Sequence, residues 1–255
     1  MFKKIFLFGF ILIFVVCLIV NVSATNFNST WNTSKVAGDK NITLPLEFGG
    51  TYDFTVNWGD GNTTTVISYD SVNATHDYGE EGVYNVSING TIVGFRFANA
   101  GDKLKIIDIS QWGDLNLGNS GWYFYGTTNL NISATDILNL TGTTTMYMAF
   151  RGSGITTVPN MGDWNMSEVT TMQTMFFLAT NFNEDIGNWD VGKVESLYNT
   201  FYYAEAFNGN INNWDTSSVT NMKSMFQSAS DFNQNLSNWN TSENNKFINN
   251  QGLIF

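Results

Sequence analysis

Apolar and polar positions in the second half of the chain recur with a fixed period. Trp164, Trp189, Trp214 and Trp239 are 25 residues apart, as are Phe182, Phe207 and Phe232, and Val169, Val194 and Val219. Phe176, Phe201 and Phe226 keep the step, as do Ala179, Ala204 and Ala229, Met172, Leu197 and Met222, and Ile186, Ile211 and Leu236. So many matched columns mark internal repeats. Within one unit, Val219, Met222, Phe226 and Ala229 follow steps of three, four and three, which predicts one face of an α-helix. Thr216, Ser217 or Ser218 would cap its start. After a polar break at Ser230 and Asp231, Phe232, Leu236 and Trp239 predict a turn and a short extended piece. One such unit cannot bury its apolar face, whereas stacked neighbours can, so the pattern predicts an α/β solenoid with Trp and Phe columns inside.

The period loosens upstream, where Met146 and Phe150 precede Met172 and Phe176 by 26 residues and Phe124 precedes Phe150 by 26. Residues 99–160 are therefore expected to form divergent first repeats, 161–243 the regular ones, and 244–255 a degenerate repeat or cap. Residues 27–98 lack the period and alternate instead. Thr51–Val56, Thr63–Ile67 and Val83–Ile88 are expected strands, with Asn57–Asn62 as a tight turn and Asn89-Gly90 as a hairpin turn into Thr91–Val93. Strands at this spacing predict an antiparallel β-sandwich. The fold class expected is thus mixed: an N-terminal antiparallel β-sandwich followed by an α/β solenoid.

The head of the chain differs from both halves. Lys3 and Lys4 precede an apolar run from Ile5 to Val20, and Val22-Ser23-Ala24 supplies a small-x-small site. That layout is expected of a signal peptide over residues 1–24, with no stable membrane span after cleavage. Cys17 would leave with it, so the exported chain would be stabilised by burial without disulfides. Eleven basic residues less Lys3 and Lys4, against 22 acidic ones, leave a formal charge of −13. The remaining cations are scattered, which excludes nucleic acid as a partner. Asn-x-Ser/Thr sequons run from Asn28 to Asn240, and both glycosylation and mere Asn/Ser/Thr richness account for them.

Little catalytic chemistry is in view. His76 is the only histidine, and no Gly-x-Ser-x-Gly elbow is present. Asp53, Asp60, Asn62 and Asp77 offer oxygens near one turn, but six to eight ligands for calcium cannot be named, so turn chemistry is expected. The recurring Asn183, Asn208 and Asn233, and Asn165, Asp190, Asp215 and Asn240, are expected to bond turn backbones and one another. No catalytic, cofactor or metal residues are assigned, and no cofactor.

The repeat Phe-Asn-x-x-(Ile/Leu)-x-Asn-Trp-Asp-x-(Ser/Gly)-x-Val-x-x-(Met/Leu)-x-x-x-Phe-x-x-Ala, over residues 161–242, resembles the BspA-like leucine-rich repeat family. Gly192 stands for Ser, Leu197 for Met and Thr200 for the second Met. The resemblance implies a right-handed, leucine-rich-repeat-like solenoid on a cell surface, some members being linked to adhesion, and carries no catalytic residues with it. Gly59-Asp60-Gly61, His76-Asp77-Tyr78 and Gly82-x-Tyr84-x-Val86 resemble the paired motifs of a PKD domain, which implies an extracellular spacer or contact module.

The function expected from all this is a secreted or cell-surface interaction or adhesion protein, not an enzyme, whose partners are extracellular proteins or glycans. A carbohydrate-binding or carbohydrate-active extracellular protein is the alternative. Outward positions that differ between repeats, such as Gly192, Lys193, Glu195 and Ser196 against Ser217, Ser218, Thr220 and Asn221, favour a broad contact surface over a pocket.

Overall fold

The structure, a computed structural model, describes residues 25–239. The expected signal segment, the sequon at Asn240 and the expected cap at 244–255 lie outside those residues.

The front of the chain folds as a seven-stranded sheet built from β1 (Phe27–Asn32), β3 (Leu46–Asn57), β4 (Thr63–Val66), β6 (Val83–Phe95), β7 (Ile106–Gln111), β8 (Leu115–Asn116) and β9 (Asn131–Ile132). A two-stranded sheet joins β2 (Asn41–Thr43) to β5 (Thr75–Asp77). The strand order β4-β3-β6-β1-β7-β9 is antiparallel from β4 to β7. It turns parallel where β7 meets β9 and where β8 meets the far half of β6. The strands of 27–98 therefore do not close a sandwich of their own, because three strands from beyond residue 98 complete the sheet.

Asn89-Gly90 is not a hairpin turn. Both residues lie inside β6, opposite Thr55 and Phe54. Gly90 has φ of 122°, and a Cβ there would meet Asp53 O at 2.4 Å. The dipeptide that favours a turn in isolation here permits close approach of two long strands.

The expected repeat helix is absent, and the chain is not an α/β leucine-rich-repeat-like solenoid. Among the described residues the only helical pieces are three-residue 3₁₀ segments at Thr33–Lys35, Val72–Ala74 and Met161–Asp163. None is long and apolar enough to cross a membrane. In place of each helix stands a six-residue segment of successive turns: residues 121–126, 147–152, 173–178, 198–203 and 223–228. Each contains a pair of left-handed residues four apart, Trp122/Gly126, Met148/Gly152, Thr174/Leu178, Asn199/Tyr203 and Ser224/Ser228, with Gly121 left-handed as well in the first. A right-handed helix cannot contain such residues, which cost roughly 1–2 kcal/mol each when they are not glycine.

Hydrogen bonds hold this conformation. Met175, Phe177 and Ala179 donate within their own turns, to Met172, Thr174 and Phe176. The alternate N–H groups of Met172, Thr174, Phe176 and Leu178 donate to Ser196, Tyr198, Thr200 and Tyr202 in the next segment. Parallel bridges Thr145–Thr171–Ser196–Asn221 mark the start of each rung. At all four positions the side-chain oxygen accepts from the N–H two residues on, as Thr145 does from Tyr147, Thr171 from Gln173, Ser196 from Tyr198 and Asn221 from Lys223. Ser196 and Asn221, expected to be free outward positions, thus build the frame. The expected extended piece before each Trp is also a turn, closed by Trp189 N–H to Ile186 and Trp214 N–H to Ile211.

The apolar columns form the core of this ladder. Phe124, Phe150, Phe176, Phe201 and Phe226 stack with ring centroids 5.3–5.7 Å apart. Trp164, Trp189, Trp214 and Trp239 stack at 6.1–6.5 Å. The indole N–H of Trp189, Trp214 and Trp239 donates to Met161, Ile186 and Ile211 O of the preceding unit. The same core runs into the front sheet through Phe124 against Phe95 and Trp164 against Trp112. Buried Lys105 pins the junction: its ammonium meets Asp39 at 2.8 Å, Asp102 at 2.7 Å and Asn41 O at 2.7 Å.

Two stability measurements check this account. Trp214→Ala is expected to cost roughly 3–5 kcal/mol in a denaturant titration, from lost stacking and the lost indole hydrogen bond to Ile186 O. Leu178, half-exposed with φ of 59°, should invert the usual size rule. Leu178→Val is expected to be about 1 kcal/mol or more worse than Leu178→Gly, because a β-branched residue resists left-handed backbone and glycine does not.

Candidate functional site

The motif residues of the front sheet come together first. The turn after β3 places Trp58 and Asp60, and β5 places His76. Gly59 permits the turn, since a Cβ there would meet Asn85 O at 2.4 Å. His76 Nε2 lies 2.7 Å from Asp60 Oδ2 and its ring stacks on buried Trp58 at 5.2 Å. Tyr78 meets His76 edge-on, stacks on Tyr84, and donates its hydroxyl to Trp58 O at 2.8 Å. Burial pushes the Asp60 carboxyl up, but the hydrogen bonds from His76 and from the backbone and amide of Asn62 outweigh it and hold the carboxyl at about 2.

The oxygens weighed for calcium are not gathered. Asp60 serves His76 and Asn62, Asp77 Oδ1 accepts from Gly79 N–H, and Asp53 lies within β3 opposite Thr91. No group of three or more His, Cys, Asp or Glu side chains is placed to hold a metal among the described residues.

The recurring polar columns make turns, as their spacing suggested. Asn165, Asp190 and Asp215 each accept from the N–H two residues on. Asn183 accepts from Asn208 N–H, and Asn208 from Asn233 N–H, one rung apart.

A surface of a different kind lies along the outside of the turn segments. The residue after each stacked Phe reads Tyr125, Arg151, Phe177, Tyr202 and Gln227. Arg151 is sandwiched in that column, 5.1 Å from the Tyr125 ring centroid and 4.3 Å from that of Phe177. Phe177 and Tyr202 stack at 4.9 Å, and Tyr203 leans on Tyr202. Trp122 packs against Tyr125 at 5.8 Å and Tyr147 at 5.7 Å. Six aromatic rings and one guanidinium thus form a contiguous band, each half-buried except Tyr203, which is exposed. The five segments contain no Asp or Glu in a chain with 22 of them, and they carry Arg151 and Lys223.

The band was not legible as a column because its residue types do not repeat. The conserved spacing of the stacked Phe column was the available signal: the position following each Phe is the band. The Trp column, by contrast, faces inward and offers no ring to a ligand.

Residues 144–251 match a protein family described as "Mycoplasma protein of unknown function, DUF285". No curated protein and no solved structure matches the chain. The matched segment holds four of the five turn segments and most of the ladder, while the front sheet lies outside it. The match carries neither a leucine-rich-repeat nor a PKD description.

The Asp60 pairing has a measurable consequence. Its folded value, about 2, lies below the ordinary 3.8, so the carboxylate adds stability above about pH 4, and that contribution is lost as pH falls toward 2. The stability of Asp60→Asn should fall less steeply than that of the wild-type protein between pH 4 and 2, as followed by thermal melts across that range.

Proposed function

We propose that this chain is an exported surface protein that binds extracellular macromolecules through the acid-free aromatic band, and that it performs no catalysis. One observation carries this reading: six large rings and an arginine stand half-exposed and in mutual contact along four successive rungs. Aromatic residues and Arg are the side chains enriched at interface hot spots, because each buries much area at little entropic cost. A rigid backbone fixes each ring, so little ordering remains to oppose binding.

The resemblance of the repeat to BspA-like surface proteins supports the same direction, as does the signal-like head of the chain. His76 and Asp60 are structural in this reading, occupied with each other and with the Trp58 stack. The alternative of sugar stacking is weaker at the band. Phe177 and Tyr202 turn their ring faces to each other, and the faces of Arg151 are covered on both sides, so edges are what the band presents.

The test is adhesion of beads coated with the mature chain to extracellular proteins and cell surfaces. Phe177→Ser and Tyr202→Ser are each expected to lower adhesion several-fold while the fold, followed by circular dichroism, is kept. Full adhesion by the double variant would remove the band from the function.

A further inference from the structure

Resting on the band assigned above, we infer that its partner is an extended protein segment carrying apolar residues and two isolated carboxylates spaced at least four or five residues apart. The first ground is charge. Arg151 and Lys223 form no salt bridge among the described residues, in a chain whose formal charge is −11. Acidic side chains are plentiful on neighbouring positions of the same repeats, as at Glu168, Asp190, Glu195 and Asp215, yet none falls in the five turn segments. A half-buried guanidinium held between two rings keeps its charge and, apart from the Nη1 hydrogen directed at Met148 Sδ, its in-plane N–H groups while both faces are covered. That is the arrangement that takes a carboxylate edge-on.

The second ground is the rings themselves. Aromatic edges carry partial positive charge. A band showing edges, tyrosine hydroxyls and a guanidinium rim favours carboxylate and carbonyl oxygens set among apolar groups. A polyanion fits less well, since the net charge of −11 opposes its approach while local pairs act at short range.

The third ground is geometry. Arg151 is the fifth residue of the second segment and Lys223 the first of the fifth, so three rungs separate them along the ladder, about 15 Å at the usual inter-strand spacing of roughly 4.8 Å, and their different columns add a sideways offset. An extended chain advances about 3.3 Å per residue, so carboxylates at least four or five residues apart, on a chain crossing the ladder obliquely, reach both cations. The aromatic band at Phe177 and Tyr202 lies on the rungs between them and would meet apolar residues between the two acids.

The experiment titrates the mature chain with two twelve-residue peptides of Leu, Val and Tyr, alike except that one has Glu and the other Gln at two positions five apart. The Glu peptide is expected to bind about tenfold tighter, the factor expected for one charge-assisted hydrogen bond. Arg151→Gln and Lys223→Gln should abolish that difference and leave the Gln peptide unaffected. Arg151→Lys, which keeps the charge, should restore part of it, and this controls for disruption of the ring sandwich. Phe177→Ser should weaken both peptides. Equal affinity for the two peptides would overturn the acidic partner while leaving the band's role in adhesion standing. Binding of neither peptide would overturn it as well, as would self-association through the band or tighter binding of a sulfated oligosaccharide. Adhesion that survives loss of the rings would defeat the underlying reading instead.

Discussion

In each turn segment before 223–228, alternate backbone N–H groups point out of their own turn, and the carbonyls of the next segment receive them. Met172, Thr174, Phe176 and Leu178 donate outward, while Met175, Phe177 and Ala179 donate inward. The left-handed residues make this alternation possible by turning the chain every four residues. Such residues are costly alone, and a single segment leaves half its donors without partners. Only repetition satisfies both demands, since each added rung supplies the missing acceptors and reinforces the strained backbone.

The front sheet solves the problem of the first rung. A ladder needs a preformed row of acceptors, and antiparallel sheets do not offer parallel partners beyond their edge. Here β7 and the far half of β6 are long enough to accept β9 and β8 in parallel, and pairing passes from there to Asn116–Asn139 and the later bridges. Phe97, Ala98 and Asn99 donate to Tyr123, Trp122 and Tyr125, which carries the turn pattern back to the end of β6. Lys105, fully paired in the interior, fixes this junction by tying the residues before β7 to the loop that leads into β2. A buried cation is tolerated because all three of its donors are satisfied.

Once the frame is secured by backbone pairing and by inward Phe and Trp stacks, the position after each stacked Phe is left free of that frame. The residue after each stacked Phe can be Tyr, Arg, Phe or Gln without disturbing a rung. That freedom is what lets a surface be written on a repeat. The rings are also held in place by neighbours one rung away.

The sequence by itself determined the period, the inward columns and the polar turns. Each depends on a residue type recurring at a fixed step: Trp164 to Trp239, Phe176 to Phe226, and Asn183 to Asn233. Steps of three and four could not distinguish a helix from successive turns, because both bring Val219, Met222, Phe226 and Ala229 to one side. The choice fell to where the backbone N–H groups find acceptors, and those lie 24 to 26 residues away. Asn89-Gly90 misled for the same reason: its local preference for a turn yields to the pairing of β6 with β3 along its length. The aromatic band was decided by tertiary structure alone. Tyr125, Arg151, Phe177 and Tyr202 share no chemistry that repeats, and only stacking of the rungs makes them neighbours.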